Sequence, residues 1–253
     1  MRDPIVNIAV KAARVAGNII VKAQERLESL VINQKKPGDF VTDIDQLVER
    51  EIIHIIRKAH PNHGILGEES GEIAGNEFTW IIDPIDGTRN FIHGFPQFAV
   101  SIAIRKKNKI EHGVIYDPIR QELFSATRGK GARLNDHRIR VSTRNKLEDT
   151  LLGTSAFPTQ YENLLQVLNP ICDLRCAGAA TLDLAYVACG RFDGYWESGL
   201  KLWDLAAGIL LVKEAGGLVC DLDGSDNYLT SGNVLAGNPK ILKLLLKTIK
   251  STQ

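Results

Sequence analysis

Apolar residues recur every third or fourth position at the start of the chain, where Ile5, Ile8, Ala9, Ala12, Ala16, Ile19, Ile20, Ala23 and Leu27 share one face. With Asp3-Pro4 as a start signal, this spacing predicts one long amphipathic helix. A second helix is predicted from Thr42 or Asp43, with Ile44, Leu47, Val48, Ile52, Ile55, Ile56 and Ala59 on one face. It ends before Pro61, because the residue ahead of a proline disfavours the helical region. Between the two, Gln34-Lys35-Lys36-Pro37-Gly38-Asp39 reads as a turn or hairpin.

From residue 64 the texture shortens to strand-like runs at 64–66, 78–82, 98–104, 109–116 and 122–127, joined by turns rich in Gly, Pro and Asn. Beyond Gly153 the two periods alternate. Helices are predicted near 160–168, over 181–189, over 202–215 and over 239–247, with strands near Leu174, over 192–196, over 218–220 and near Val234. Helices layered on sheets are the expected architecture, an α/β (layered α+β) fold. The change near residue 150 would allow subdomains 1–150 and 151–253, but no Pro- or Ser-rich spacer separates them, so a single unit over 1–253 is expected. The run 242–246 is either core or a subunit contact.

Composition narrows the function classes. The 253 residues hold 31 Lys and Arg against 30 Asp and Glu, with 44% apolar content, which excludes a disordered or fibrous chain and a general polyanion coat. Cys172, Cys176, Cys189 and Cys220 form no C-x-x-C pair and are expected as buried thiols in a reducing compartment. The N-terminus has no leader pattern and no stretch approaches a membrane span, so the expected location is the cytoplasm, with no membrane partner. None of the six histidines is well placed to be a ligand.

The chemistry concentrates between Gly67 and Phe91. Glu68 and Glu69 follow a short strand, and Asp83-Pro84-Ile85-Asp86-Gly87-Thr88 follows the run 78–82. Crowded carboxylates raise one another's pKa, so several acids at neighbouring strand ends point to a hard divalent cation. Oxygen donors without histidine favour Mg²⁺ or Mn²⁺ over zinc. Pro84 restrains the chain between the aspartates, while Gly87 and Thr88 look like the opening of a short helix whose N–H groups can meet a phosphate. An Asx turn at Asp83 and Asp86 is the local alternative, as is simple N-capping for Asp204.

Gly67-Glu68-Glu69-Ser70, the Asp83-to-Thr88 motif, Asp39-Phe40-Val41-Thr42-Asp43-Ile44-Asp45 and Trp203-Asp204-Leu205-Ala206-Ala207-Gly208 together resemble the inositol monophosphatase family, and the resemblance spans nearly the whole chain. Stretches 98–104, 122–131 and 182–188 are most similar to its bacterial members of the SuhB type. The resemblance implies a sandwich of alternating helix and sheet layers, a homodimer, and a Mg²⁺-dependent, Li⁺-inhibited phosphomonoesterase acting on myo-inositol 1-phosphate, with Mn²⁺ as a substitute ion. It implies that Glu68, Asp83 and the Ile85 carbonyl hold one Mg²⁺ and that Asp83, Asp86 and Asp204 hold a second, with a third, weaker ion leaning on Glu68. Thr88 paired with Asp45 would orient and deprotonate water, with Glu68 as a further catalytic group. The N–H groups of Gly87 and Thr88 would steady the phosphoryl group. Gly178, Ala179, Ala180, Glu197, Asp86 and Asp204 would contact substrate, and Lys35 or Lys36 would be the basic residue near the metals.

Two positions depart from the family pattern. Arg89 stands where a second Thr is usual, and Ala179 replaces a Ser or Thr. The first would add a phosphate contact or pair structurally, and the second bears on inositol preference. Other substrates stay open: fructose 1,6-bisphosphate, histidinol phosphate, or a 3′-phosphoadenosine nucleotide, the last disfavoured by the lack of long insertions. A different class stays open too, a binding role in ribosomal RNA transcription antitermination through Nus factors or RNA polymerase. Arg175, Arg191 and the Lys and Arg of 105–109 would then form a docking face or remain solvated surface.

Overall fold

Asp3 accepts the N–H of Ile5 and caps α1 (Pro4–Gln24), with Pro4 in the first turn, where its missing N–H costs nothing. The structure, a computed structural model, describes residues 3–29, 32–36, 39–155 and 162–252. The small residues Ala9, Ala12, Ala13, Ala16 and Gly17 on the buried face let α1 pack closely. Among the described helices α1 is long and apolar enough to cross a membrane, with a mean hydropathy of 1.4. Lys11, Arg14 and Lys22 interrupt its apolar run, and its inner face belongs to the core.

The polar segment after α1 forms the expected hairpin, β1 (Ile32–Lys36) antiparallel to β2 (Asp39–Thr42). Thr42 then caps α2 (Asp43–Ala59) in a reciprocal box with Asp45. The buried face of α2 consists of Asp45, Val48, Glu49, Ile52 and Ile56. Leu47, expected on that face, is 42% exposed, and Ala59 is exposed as well. The stripe is rotated because two of its buried positions are acids.

Eight strands form the main sheet. Its order runs from β10 (His137–Arg138) through β9 (Gly131–Leu134), β8 (Glu122–Thr127), β7 (Lys109–Asp117), β6 (Ala99–Lys106) and β5 (Phe78–Asp86) to β3 (Gly64–Gly67) and the edge strand β4 (Gly71–Ile73). Side chains alternate strictly across it: Val100, Ile102 and Ile104 of β6 join the core under α1 and α2, while Ala99 and Ala103 join the core on the opposite face. That opposite face is covered by α5 (Ala180–Ala188) and α6 (Leu202–Glu214). Every residue of α5 is buried, as are the eight from Leu205 to Val212 of α6, as befits helices apolar all round.

A second sheet lies on the far side of α5 and α6. Its order is β12 (Asp173–Arg175), β11 (Leu151–Thr154), β13 (Gly194–Glu197), β15 (Val234–Gly237) and β14 (Leu218–Cys220). α4 (Glu162–Leu168) and α7 (Pro239–Thr252) close its outer face through Leu164, Leu168, Ile241, Leu242, Leu245 and Ile249. The result is alternating layers of helix, sheet, helix, sheet and helix. The run 242–246 thus falls on a helix whose buried face is core, and the closing helix extends five residues past the expected Lys247. Residues 160 and 161 of the expected helix near 160–168 lie outside the described residues.

The cysteines differ from expectation. All four are free thiols, but only Cys172 and Cys220 are buried; Cys189 is half-buried and Cys176 is exposed. Cys176 follows the short edge strand β12, which leaves it uncovered.

Candidate active site

The placement of the acids follows from the pleat of β5. Trp80 and Ile82 point into the core under α1 and α2, and Ile81 points to the α5/α6 side, so Asp83 also faces α5 and α6. Pairing with β6 then shifts register: Asp83 opposes Ser101 and Asp86 opposes Ala99, one extra residue on β5. This is a β-bulge, and Pro84, which has no N–H for the ladder, sits inside it. Without the bulge Asp86 would point to the opposite face from Asp83. With it, Asp86 shares the side of Ala99, which belongs to the α5/α6 core, and both aspartates converge there.

Gly87 follows with φ 88° and heads the five-residue α3 (Thr88–Ile92). A Cβ at Gly87 would stand 2.8 Å from the Gln97 carbonyl oxygen and 3.2 Å from that of Gly178, so both conformation and space demand glycine. Thr88 Oγ1 lies 3.1 Å from Asp45 Oδ1 and 2.9 Å from the Ile85 carbonyl. Asp45 is fully buried, and its Oδ2 accepts the N–H of Thr42 at 2.8 Å and the Thr42 hydroxyl at 2.6 Å. Burial nonetheless raises its pKa above the ordinary carboxylate value, against the lowering effect of those bonds. Glu68 lies in the turn after β3, its N–H donated to the Ile82 carbonyl at 3.1 Å.

The second half of the chain completes the site. Asp86 Oδ2 accepts the N–H of Thr181 at 2.8 Å and the Thr181 hydroxyl at 2.5 Å. Ala179 occupies the N-cap of α5 and makes no side-chain cap, so Asp86, reaching across the molecule, does the capping. This is a physical account of the Ala179 departure: the cap comes from another strand. Asp204 lies in the first turn of α6, where its Oδ2 accepts the Lys201 N–H at 2.7 Å, and its charge bears on the Asp83 carboxyl. The N-capping alternative for Asp204 therefore holds together with the convergence on Asp83. Glu197, at the end of β13, accepts the Tyr195 hydroxyl.

The acids are held as a group well above their ordinary pKa. For Asp83 burial acts first, and Glu68, Asp86, Asp204 and Asp45 push in the same direction. Burial lifts Asp86 to about 6 and Asp204 to about 7, the latter helped by Asp86, and it lifts Glu197 to about 7. Among the described residues no three His, Cys, Asp or Glu stand in ready coordination geometry. Two observations nevertheless fit a divalent cation. Asp83 Oδ1 is buried with no hydrogen-bond partner, and the converging donors are all oxygens.

Other expected residues separate from this cluster. Gly178 and Ala180 border it through the first turn of α5. Lys35 and Lys36 lie on β1, and their side chains are outside the described residues. Arg89 is exposed on α3. Part of the expected docking face is paired with acids: both Glu122 oxygens lie 2.5 Å from Arg191, which also covers the Tyr186 ring, and Lys106 pairs with Glu77 at 3.3 Å.

Four polar residues escaped the sequence reading. Asn90 donates to the carbonyls of Gln97 at 2.7 Å and Ala177 at 2.9 Å, pinning the 177–179 loop beside Gly87. Thr181 donates its N–H and hydroxyl to Asp86, 95 positions away, which no local pattern reveals. Asp183 is buried with Oδ1 unpartnered, its pKa raised by burial and by Asp86 and Glu197. Glu49 is buried on α2 four residues after Asp45, and that spacing within an apolar stripe was the available signal.

The sequence model of the inositol monophosphatase family matches residues 1–253. The Nus factor SuhB of Pseudomonas aeruginosa is 52% identical over 262 residues, covering 98% of this chain and 96% of that protein. The crystal structure of extragenic suppressor protein suhB from Bartonella henselae superposes with a TM-score of 0.97 at 43% identity, over 99% of this chain and all of that one. The inositol monophosphatase of Anabaena sp. PCC 7120 superposes with a TM-score of 0.86 at 36% identity, over 98% and 96% of the two chains.

Proposed function

The chain belongs to the inositol monophosphatase family, and on that premise we propose that it is a Mg²⁺-dependent phosphomonoesterase hydrolysing myo-inositol 1-phosphate to inositol and inorganic phosphate. The observation that carries this reading is the bulge in β5, which turns Asp83 and Asp86 to the same side as Asp204 and leaves Asp83 Oδ1 buried without a partner. In this reading Glu68, Asp83 and the Ile85 carbonyl hold one Mg²⁺, with Mn²⁺ as a substitute, and Asp83, Asp86 and Asp204 hold another. When bound, the ions supply positive charge that activates water and steadies the leaving oxygen of an in-line displacement.

The chain's own groups do the rest. Thr88 Oγ1 takes the proton of the attacking water while its own proton passes to Asp45 Oδ1, 3.1 Å away, whose raised pKa suits it to act as the base. The N–H groups opening α3 at Gly87 and Thr88 face the phosphoryl oxygens, since the first N–H groups of a helix have no partner within it. Asp86, held by Thr181, and Glu197, held by Tyr195, accept hydrogen bonds from polyol hydroxyls beside Gly178, Ala179 and Ala180. Asp86 comes from one half of the chain and Thr181 and Asp204 from the other, so 1–253 works as one catalytic unit; family membership supports a homodimer in the cytoplasm.

The test is phosphate release from inositol 1-phosphate, with fructose 1,6-bisphosphate and histidinol phosphate alongside, with and without Mg²⁺ and Li⁺. Mg²⁺-dependent, Li⁺-inhibited turnover of inositol 1-phosphate, abolished in Asp83→Asn, is expected. Turnover of another phosphate alone would overturn the substrate, and turnover without any divalent ion would overturn the mechanism.

The name of the Pseudomonas aeruginosa relative, a Nus factor, supports a second reading, a binding role among Nus factors; the proposed setting of that role is ribosomal RNA transcription, with RNA polymerase as a further partner. Retention by immobilised RNA polymerase of a variant that has lost its phosphatase activity would separate that role from catalysis.

A further inference from the structure

Helix α2 carries a second inward acid one turn after Asp45. Glu49 is 2% exposed, and both carboxylate oxygens are engaged by backbone: Oε2 accepts the N–H of Glu69 at 3.0 Å and Oε1 that of Ser70 at 2.7 Å. A carboxylate gripping two successive N–H groups fixes the position and the orientation of the turn that bears them, and charge strengthens both bonds. The approach is so close that a Cβ on Gly67 would lie 2.5 Å from Glu49 Oε2. The glycine is therefore part of the grip.

Glu68 lies inside that grip. On its N-terminal side its own N–H is tied to Ile82 of β5, and on its C-terminal side the next two N–H groups are tied to Glu49. The same helix holds Thr88 through Asp45, so one rigid element sets the turn bearing Glu68 and the turn bearing Thr88 relative to each other. We propose that Glu49 is a positioning residue that sets the affinity of the acidic site for divalent cations by fixing Glu68, without touching cation or substrate. This rests on the reading of Glu68 as a cation ligand.

The test compares the full-length wild type with Glu49→Gln, Gly67→Ala and Val48→Ala. Glutamine keeps the size but turns an NH₂ toward one of the two N–H donors. Alanine at 67 displaces the carboxylate sterically. Val48→Ala removes core methyl groups from the same helix without touching the turn. Mn²⁺ binding is read directly by electron paramagnetic resonance of the free ion, with Mg²⁺-induced thermal shift and phosphatase kinetics alongside. Glu49→Gln and Gly67→Ala are expected to weaken Mn²⁺ binding about 10- to 100-fold, as for other residues that orient metal ligands. Their kcat should recover at saturating Mg²⁺ with the KM for substrate unchanged. Val48→Ala should lower the Tm and leave Mn²⁺ binding as in wild type.

Wild-type Mn²⁺ affinity in Glu49→Gln, or in Gly67→Ala should the first variant not fold, overturns the proposal while leaving the site reading intact. Weakened binding in Val48→Ala to the same degree also overturns it, by reducing the effect to general destabilisation. A wild type that binds no Mn²⁺ overturns the site reading itself.

Discussion

On one face of the eight-stranded sheet, α2 turns two acids inward and both are satisfied: Asp45 by Thr42 and Thr88, Glu49 by the turn after β3. On the opposite face, Asp83 from β5 and Asp183 from α5 are as deeply buried, yet each keeps an oxygen with no partner. The two groups contain the same functional group at similar depth and differ in how their lone pairs are used. A buried carboxylate with its oxygens engaged is a clamp, whereas a buried oxygen without a partner costs free energy that a bound cation or ligand can recover. The contrast fits the proposed roles: Asp45 as base and Glu49 as positioning group on the α2 face, and Asp83 as cation ligand on the α5/α6 face.

The largest expected effect breaks the link between the two faces. Thr88→Ala removes the hydroxyl that Asp45 holds, and kcat should fall by about 10²- to 10⁴-fold, the usual worth of a positioned general base. The Mg²⁺-induced thermal shift should survive, because no carboxylate is lost. Loss of that shift would mean that Thr88 belongs to the cation site.

Next comes pH. Asp86 at about 6 and Asp204 and Glu197 at about 7 lie above their unfolded values, so the folded, metal-free protein holds more protons than the unfolded chain from about pH 4 to about pH 7. Its stability therefore falls as pH rises through that window. Mg²⁺ needs the deprotonated acids, so its apparent affinity should rise by roughly tenfold per displaced proton for each pH unit below these pKa values. Thermal shift across a Mg²⁺ series at pH 6 and pH 8 reads both trends, and a pH-independent Mg²⁺ response would contradict them.

Asp183→Asn sharpens the comparison on the unsatisfied face. Its carboxyl is also held well above the ordinary value, so the aspartate costs the fold stability progressively as pH rises above the ordinary carboxylate range, where the unfolded chain has already lost this proton. The variant should gain on the order of 1–2 kcal/mol relative to wild type at high pH and nothing below about pH 4. Denaturant melts in both ranges check this. A loss of stability at both would mean that Asp183 has a structural partner.

Much of this was legible in the chain itself. The spacing of apolar residues located α1 and α2, and the Asp83-to-Thr88 motif with Glu68, Asp45 and Asp204 identified the acids that the fold gathers. Pro84 marked the restraint, but not that a bulge there would reverse the parity of Asp86. The short strands β4, β9 and β10 carry too few residues to show a period and exist because a neighbour pairs with them. The roles of Thr181 and Asn90 arise from partners about ninety positions away. Leu47 was misplaced because the stripe on α2 was drawn through apolar residues alone, when two of its inward positions are Asp45 and Glu49. The smallest predicted effect follows: Leu47→Glu should change stability by no more than about 0.5 kcal/mol, and a greater loss in a urea melt would mean that something covers it.

The acids gathered beside the β5 bulge are proposed to hold divalent cations. Isothermal titration of Mg²⁺ into wild type and Asp83→Asn, with the Tm of each metal-free protein, tests this most directly. Saturable binding is expected in wild type and none detectable in Asp83→Asn, whose metal-free Tm should lie at or above that of wild type, because an unpartnered buried acid has been removed. Equal Mg²⁺ binding by both proteins, or a variant that binds nothing because it has lost its fold at low temperature, would contradict this assignment.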